Sequence, residues 1–194
     1  VLVTHAHIDH TGGLPLLHDR FPEVPVFATR PTVWIARTLL HDSVAIMDRD
    51  FEGEPDYTLD DVASLRRVLE PVPFRTPRRV AATEDTRVTA RFLRAGHIMG
   101  AAMIALEAVH EPTGRVERVL VSGDVSLFDQ PTIPGLALEE IRDFEPSIFV
   151  CEGTYGDAEH EDFDQEEARF VQRVARILRR GGRVVVPAFA VGRS

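Results

Sequence analysis

The chain has 194 residues, a mass of 21.7 kDa and a formal net charge of −9 at pH 7. With 44% hydrophobic and 27% charged residues it can bury a core, which excludes a wholly disordered, collagen-like or disulfide-stabilised chain. No apolar run reaches the roughly 18 residues of a membrane span, so we expect a soluble, cytoplasmic protein without a membrane partner. Because the sequence opens at Val1 on a strand-like run, we also expect truncation at both ends.

The first 70 residues predict short strands alternating with helices. Pro31 suits the first turn of a helix because its ring fixes a helical φ, and Thr58 with Asp61 forms a capping box. The acidic run between these two helices predicts a loop. In chain order the expected elements are a buried strand end at 1–4, a loop turning into a helix at 11–20, a strand at 25–29, a helix from 31 to 47, a loop at 48–57 and a helix from 59 to 70.

From residue 72 the pattern changes to short strands, and the turn at 111–114 predicts a hairpin. The segment 164–180 is amphipathic and ends at a glycine pair, which is typical of a helix. Trp34 and Phe170 are expected in the core, and Cys151 in a buried strand. The expected elements are strands at 79–83, 86–93, 103–109, 116–122 and 147–152, a helix at 164–180 and a strand at 183–190.

The strongest chemical signal directly follows the first strand, where His5, His7, Asp9 and His10 place four metal-binding groups within six residues. In an extended loop His5 and His7 point the same way, while Asp9 and His10 reach a second point nearby. This mixture of imidazole and carboxylate suits Zn²⁺, with Mn²⁺ or Fe²⁺ as alternatives. A polar loop without metal is the other interpretation, but burying so many ionisable groups beside an apolar strand is costly.

Two later loops offer further ligands at the ends of predicted strands. His97 lies in the run AGHIMGA, between glycines that let the backbone approach a site closely. Asp124 follows a strand in the run SGD. Either residue alone is a weak signal, but together with the first motif, and in this order, they indicate one metal site.

These motifs resemble the metallo-β-lactamase superfamily, whose His-x-His-x-Asp-His signature matches residues 5–10. The resemblance implies two zinc ions, and it implies that Asp124 is the carboxylate that bridges them. It also implies a last histidine on the second metal, which we expect to be missing here because His160 lies too early. By that pattern the ligands are His5, His7 and His97 for the first metal, Asp9 and His10 for the second, and Asp124 for both.

Three features indicate the branch of this superfamily. Asp124 stands where the zinc β-lactamases proper have cysteine, and the helical insert at 31–70 is longer than a simple thioesterase requires. The runs CEGTYGD at 151–157 and PAFAVGR at 187–193 resemble the acidic motif and the entry segment of the β-CASP nucleases. That group includes ribonuclease J and the endonuclease subunit of the cleavage and polyadenylation specificity factor, and the resemblance covers essentially the whole chain.

The resemblance implies an α/β fold. Residues 1–155 are expected to form a partial metallo-β-lactamase αββα sandwich that lacks its N-terminal strands. Residues 156–194 are expected to begin an inserted β-CASP domain.

The implied activity is zinc-dependent hydrolysis of RNA phosphodiester bonds, with hydroxide attacking phosphorus. Asp9 is implied to orient that hydroxide, Glu152 to hold a leaving-group histidine that lies outside this chain, and Arg193 to reach the scissile phosphate. For Glu152 the alternative is a surface acid. The implied partner is single-stranded RNA, cut as an endonuclease, a 5′-exonuclease or both. A homodimer is one option, and this fragment is expected to be weak or inactive.

Two other functions stay open. A metallo-hydrolase of a small ester or thioester would share the ligands but would not need the runs at 151–157 and 187–193. A non-catalytic RNA-binding subunit typically loses ligands, whereas every testable ligand is present here. The segment 66–94, with eight arginines against three acids, is either an RNA contact or a solvated surface.

Overall fold

The computed structural model describes residues 1–50, 53–159 and 161–192. Contacts divide the chain into two compact units, Val1–Glu152 and a second that begins at Gly153. His160 and Arg193, both considered from the sequence, lie outside the described residues. None of the helices in the described part is long and apolar enough to cross a bilayer.

Helices dominate the first 67 residues, and strands dominate the next 83. The helices are α1 (Ile8–Thr11), α2 (Leu14–Arg20), α3 (Arg30–Asp50), α4 (Leu59–Ser64), a 3₁₀ turn (Leu65–Arg67), α5 (Leu138–Ile141) and, in the second unit, α6 (Phe163–Arg179). The strands are β1 (Val26–Ala28), β2 (Leu69–Pro71), β3 (Arg78–Ala82), β4 (Thr86–Arg94), β5 (Ala102–His110), β6 (Arg115–Val121) and β7 (Ile148–Val150).

The strands form two sheets. The small sheet pairs β1 with β2 in parallel, and the large sheet has the order β3-β4-β5-β6-β7. In the large sheet only β6 and β7 are parallel. The antiparallel pairing of β5 with β6, in which His110 lies opposite Arg115, confirms the hairpin predicted at 111–114.

The small sheet lies between a layer of helices and the large sheet. Val26 and Ala28 pack with the helical residues Leu40 and Val62. Phe27 points the opposite way and packs in the cluster that contains Phe92 and Ile104 of the large sheet. Because successive side chains of a strand face opposite sides, β1 contributes to both layers of core. This order of layers agrees with the partial α/β sandwich that was expected.

The segment 1–4 connects the two sheets at the place where the histidine loop begins. The Val3 amide donates to the Phe27 carbonyl on β1 at 2.9 Å, and the Ala102 amide at the start of β5 donates to the Thr4 carbonyl at 2.8 Å. The predicted strand end is reduced to a single bridge between Leu2 and Phe27. The residues that follow are therefore held between both sheets.

Two helix boundaries differ from prediction. Helix α3 continues to Asp50 and so includes the first three residues of the expected loop. The helix that begins after Thr58 ends at Ser64, because Leu69 pairs in parallel with Val26 at the open edge of β1. Backbone hydrogen bonds to that edge replace the last turns of the expected helix.

Several residues expected inside the protein lie at its surface. Trp34 is 60% exposed on the solvent side of α3, away from the Leu40 stripe, and Phe170 and Cys151 are also exposed. The expected strand at 147–152 is β7, which is an edge strand of the large sheet and whose side chains are exposed. The expected strand at 183–190 is wrong, since residues 183–189 have no regular secondary structure and pair with no strand of the described chain.

The capping box of α4 provides a test of local stability. The Thr58 hydroxyl accepts a hydrogen bond from the Asp61 amide at 3.3 Å, and the Asp61 carboxylate accepts one from the Thr58 amide at 2.8 Å. The hydrogen bonds from Thr58 lower the pKa of Asp61, so the box is intact at neutral pH. We expect Thr58→Ala to lower the free energy of unfolding by about 1 kcal/mol in denaturant titrations. Thr76→Ala, which removes an exposed hydroxyl that caps no helix, should have no such effect.

Candidate metal centre

Four of the predicted ligands converge where the segment 1–4 enters α1. One ligand atom from each of His5, His7, His97 and Asp124 lies within 4.8 Å of all the others. The Nδ1 atom of His7 lies 3.1 Å from the Nε2 atoms of both His5 and His97. The Oδ2 atom of Asp124 lies 3.5 Å from His97 Nε2 and 3.8 Å from His5 Nε2.

These separations fit a tetrahedral divalent metal. Zinc bonds of about 2.0–2.1 Å in a tetrahedron place neighbouring ligand atoms about 3.3 Å apart. The closest pairs in the cluster are 3.1 Å apart and the longest named pair is 3.8 Å apart. Three imidazole nitrogens and one carboxylate oxygen are also a donor set that suits such an ion.

His10 and Asp9 lie beside this cluster on α1. The Nε2 atom of His10 is 3.4 Å from Oδ1 of Asp124 and 3.6 Å from Oδ2 of Asp9. The two oxygens of Asp124 therefore face different partners, with Oδ2 toward His5 and His97 and Oδ1 toward His10. A carboxylate between two metal ions needs this arrangement. The Asp9 side chain is 74% exposed and lies at the outer edge of the group.

Two glycines bring the three ligand-bearing loops into contact. Gly96 has a φ of +75°, and a Cβ atom there would lie 2.4 Å from the Ser126 carbonyl oxygen. Gly123 has a φ of +57°, and a Cβ atom there would lie 2.6 Å from the Thr4 Cβ. The close approach expected beside His97 is therefore observed. The contact at Gly123 had no signal in the sequence, because it depends on a loop more than a hundred residues away.

His5 is the most buried member of the cluster. Burial and, to a smaller extent, the neighbouring His10, His97 and His7 lower its pKa to about 3. The ring is therefore neutral at pH 7, which is the form that binds metal. Its Nδ1 atom lies 3.2 Å from the Thr4 hydroxyl while Nε2 faces the cluster, so this contact fixes the orientation of the ring.

Glu152 is attached to the loop that carries Asp124. The Glu152 carboxylate accepts a hydrogen bond from the Val125 amide at 2.7 Å, and its own amide donates to the Ser122 hydroxyl at 3.0 Å. The residue thus contacts both sides of the Asp124 position. The sequence placed Glu152 after a strand but gave no indication of these partners.

Carboxylates accompany four of the eight arginines in the segment 66–94. Arg87 lies 2.9 Å from Glu111, and Arg75 donates to Glu140 at 2.8 Å. Further ion pairs join Arg78 to Glu70, and Arg94 to Glu139 and Glu140. Much of the local positive charge is offset, which favours the interpretation of this segment as a solvated surface.

Comparison with known proteins agrees with this geometry. Residues 1–93 match the family described as the metallo-beta-lactamase superfamily. The whole chain is 31% identical to Ribonuclease TTHA0252 of Thermus thermophilus, of which it covers 40%. It is also 33% identical over its whole length to Probable RNase MJ4 of Methanocaldococcus jannaschii, of which it covers 42%.

A eukaryotic relative shows the same pattern. The chain is 32% identical over 200 aligned residues to Endoribonuclease YSH1 of Mycosarcoma maydis, of which it covers 21%. The chain therefore spans about two fifths or less of the length of these three relatives. The resemblance to ribonucleases of this superfamily is confirmed, and such a fold implies binding of a divalent metal.

The glycine contact at Thr4 can be tested directly. We expect Gly123→Ala to weaken zinc binding at least tenfold, because the added Cβ collides with Thr4 and displaces the Asp124 loop by a strain of roughly 1–3 kcal/mol. Gly114→Ala is the matched control, since Gly114 also has a positive φ of +68° but has nothing within 4 Å. Competition with a chromogenic chelator measures the affinity. Equal zinc affinities of the two variants would contradict the proposed contact.

Proposed function

Because the chain has the metallo-β-lactamase fold, we propose that it belongs to a metal-dependent hydrolase that cleaves phosphodiester bonds of single-stranded RNA. The observation that carries this proposal is the convergence of His5, His7, His97 and Asp124, with His10 on the second oxygen of Asp124. The ribonuclease names of the relatives support RNA as the substrate. A small thioester as the only substrate would not account for this similarity along the whole chain.

We assign the ligands to two zinc ions, with manganese as the alternative occupant. His5, His7 and His97 would hold the first ion, Asp9 and His10 the second, and Asp124 both. When bound, two such ions lower the pKa of a shared water and hold a phosphodiester for in-line attack. The second group of ligands is the more exposed, and by the resemblance one further histidine would complete it.

The chain's own residues prepare this site in three ways. His5 is held neutral and oriented by burial and by Thr4. Glu152 holds the loop of Asp124 through the Val125 amide, which limits the movement of that carboxylate. Asp9 lies at the exposed edge, where its carboxylate is placed to accept a hydrogen bond from an attacking water.

Further parts of the proposal follow from the resemblance alone. Residues 1–155 would form the metallo-β-lactamase core and residues 156–194 the beginning of a β-CASP domain. Arg193 would contact the scissile phosphate. Apart from the resemblance, we also propose a cytoplasmic location, and a homodimer is one option for the assembly.

Zinc titration and RNA cleavage together test this function. We expect the chain to bind one zinc ion tightly and a second at least tenfold more weakly, because the second group is exposed and incomplete. Incubation with 5′-labelled single-stranded RNA and DNA should show slow cleavage of RNA that Asp124→Asn abolishes. Two equally tight zinc ions with rapid turnover would contradict the assignment of an incomplete second site. Hydrolysis of a small thioester without any RNA cleavage would overturn the proposed substrate.

Variants of Glu152 separate its contact with the loop from any effect of its charge. Glu152→Ala leaves the Val125 amide without this acceptor, so we expect zinc affinity to fall about tenfold, equivalent to one lost charge-assisted hydrogen bond. Glu152→Gln retains an acceptor oxygen and should bind zinc like the wild type. RNA turnover of Glu152→Gln then reports the effect of charge alone. Unchanged zinc affinity in Glu152→Ala would show that this contact does not hold the loop.

A further inference from the structure

Helix α3 presents an aromatic and basic face that the metal centre does not use. Arg30, Trp34, Arg37 and His41 are spaced by four, three and four residues, so they lie along one side of the helix. Trp34, Arg37, Thr38 and His41 line a shallow, open depression of about 500 Å³. We call these residues, with Arg30, the α3 face.

Trp34 leaves a large apolar side chain in contact with water, which is energetically unfavourable, and its surroundings do not explain this exposure. Its indole is a large apolar group, yet 60% of the residue is open to solvent, and its nearest cation is the Arg30 guanidinium, 4.9 Å from the ring centroid. An arginine over an aromatic ring leaves the other ring surface available for a flat partner. Exposed indole rings bind nucleic-acid bases by stacking, which is worth about 1–3 kcal/mol per base.

The charge on this face is available for phosphate. Within the described residues, neither Arg30 nor Arg37 forms an ion pair, whereas Arg75, Arg78 and Arg87 of the arginine-rich segment each do. A guanidinium without a carboxylate partner can pair with phosphate without first breaking an ion pair. The α3 face therefore offers an aromatic ring on which a base can stack and guanidinium groups that can pair with phosphates.

The N-terminal end of this helix lies against the loop that carries a metal ligand. The Thr29 and Thr32 hydroxyls donate to the Gly100 carbonyl at 2.6 and 3.0 Å, three residues beyond His97. Helix α1, which carries His10, also packs against α3. From Arg30 to His41 the helix rises about 17 Å, so the α3 face extends away from the metal centre over the length of a few nucleotides.

We propose that the α3 face is a docking surface for single-stranded RNA, in which a base stacks on Trp34 and the adjacent phosphates pair with Arg37 and Arg30. This inference rests on the proposed function and adds to it a place where the strand is held beside the metal centre. A protein partner is less well matched, because the face combines one aromatic ring with cations and lacks a continuous apolar surface.

Fluorescence gives a direct test, since Trp34 is the single tryptophan of the chain. A mixed-sequence single-stranded RNA of about 12 nucleotides is titrated into the chain with a chelator present to prevent cleavage. Subtracting the Trp34→Phe titration isolates the Trp34 emission, which we expect to fall at least twofold at saturation. RNA affinity is measured in parallel by anisotropy of a labelled strand.

The variants have matched controls. We expect Trp34→Ala to weaken RNA binding about tenfold and Arg37→Gln to lower the slope of log affinity against log salt by about one. Phe21→Ala is the aromatic control, because Phe21 is 47% exposed and has Arg20 5.8 Å from its ring. Arg87→Gln is the charge control, because Arg87 is paired with Glu111. Circular dichroism melts verify that each variant is folded.

The outcomes separate this inference from the proposed function. If Trp34→Ala and Arg37→Gln bind RNA like the wild type and the Trp34 emission stays constant, the α3 face is not a docking surface for RNA. The ribonuclease proposal would still stand. Absence of RNA binding in the wild type would overturn both. A change of Trp34 emission with protein concentration alone would assign the face to a second copy of the chain and would also overturn the proposal.

Discussion

The close packing of three loops is the constraint on which the metal centre depends. The loops follow the segment 1–4, β4 and β6, and their ligands converge only because the points of contact are Gly96 and Gly123, where a larger residue would collide with backbone or with Thr4. The first loop is itself held between the two sheets by hydrogen bonds to β1 and β5. The alignment of the sheets and the geometry of the ligands are therefore parts of one arrangement.

This packing sets the chemistry of the ligands. Burial disfavours protonation of His5, and the neighbouring histidines add to this effect, so its pKa falls to about 3. His5 is thus held in the neutral form that binds a metal ion. Asp124 supplies the negative charge, and Glu152 holds its loop in place. The site combines imidazole nitrogens with one anchored carboxylate, which suits a divalent ion better than it suits an empty polar pocket.

Charge on the remaining surface is distributed differently from what composition indicates. The sequence concentrates arginine in the segment 66–94, but in the folded chain carboxylates lie beside four of those eight guanidiniums. Arg30 and Arg37 on α3, a helix outside that segment, form no ion pair with a carboxylate of the described residues. The sequence therefore shows where the arginines are, but it does not show which of them lack a carboxylate partner and are available for binding.

The sequence by itself indicated the candidate metal ligands that the fold brings together, the hairpin and the capping box, because each depends on spacing over a few residues or on a position at the end of a strand. Tertiary structure alone decided that Leu69 pairs with β1 and does not continue a helix, that Trp34 faces solvent, and that Glu152 holds the Asp124 loop. These outcomes depend on the open edge of β1, with which Leu69 pairs, and on the contact between Glu152 and the Asp124 loop. Pairing over long distances in the chain is selected by the packing of the whole unit, and no local pattern of residues carries that information.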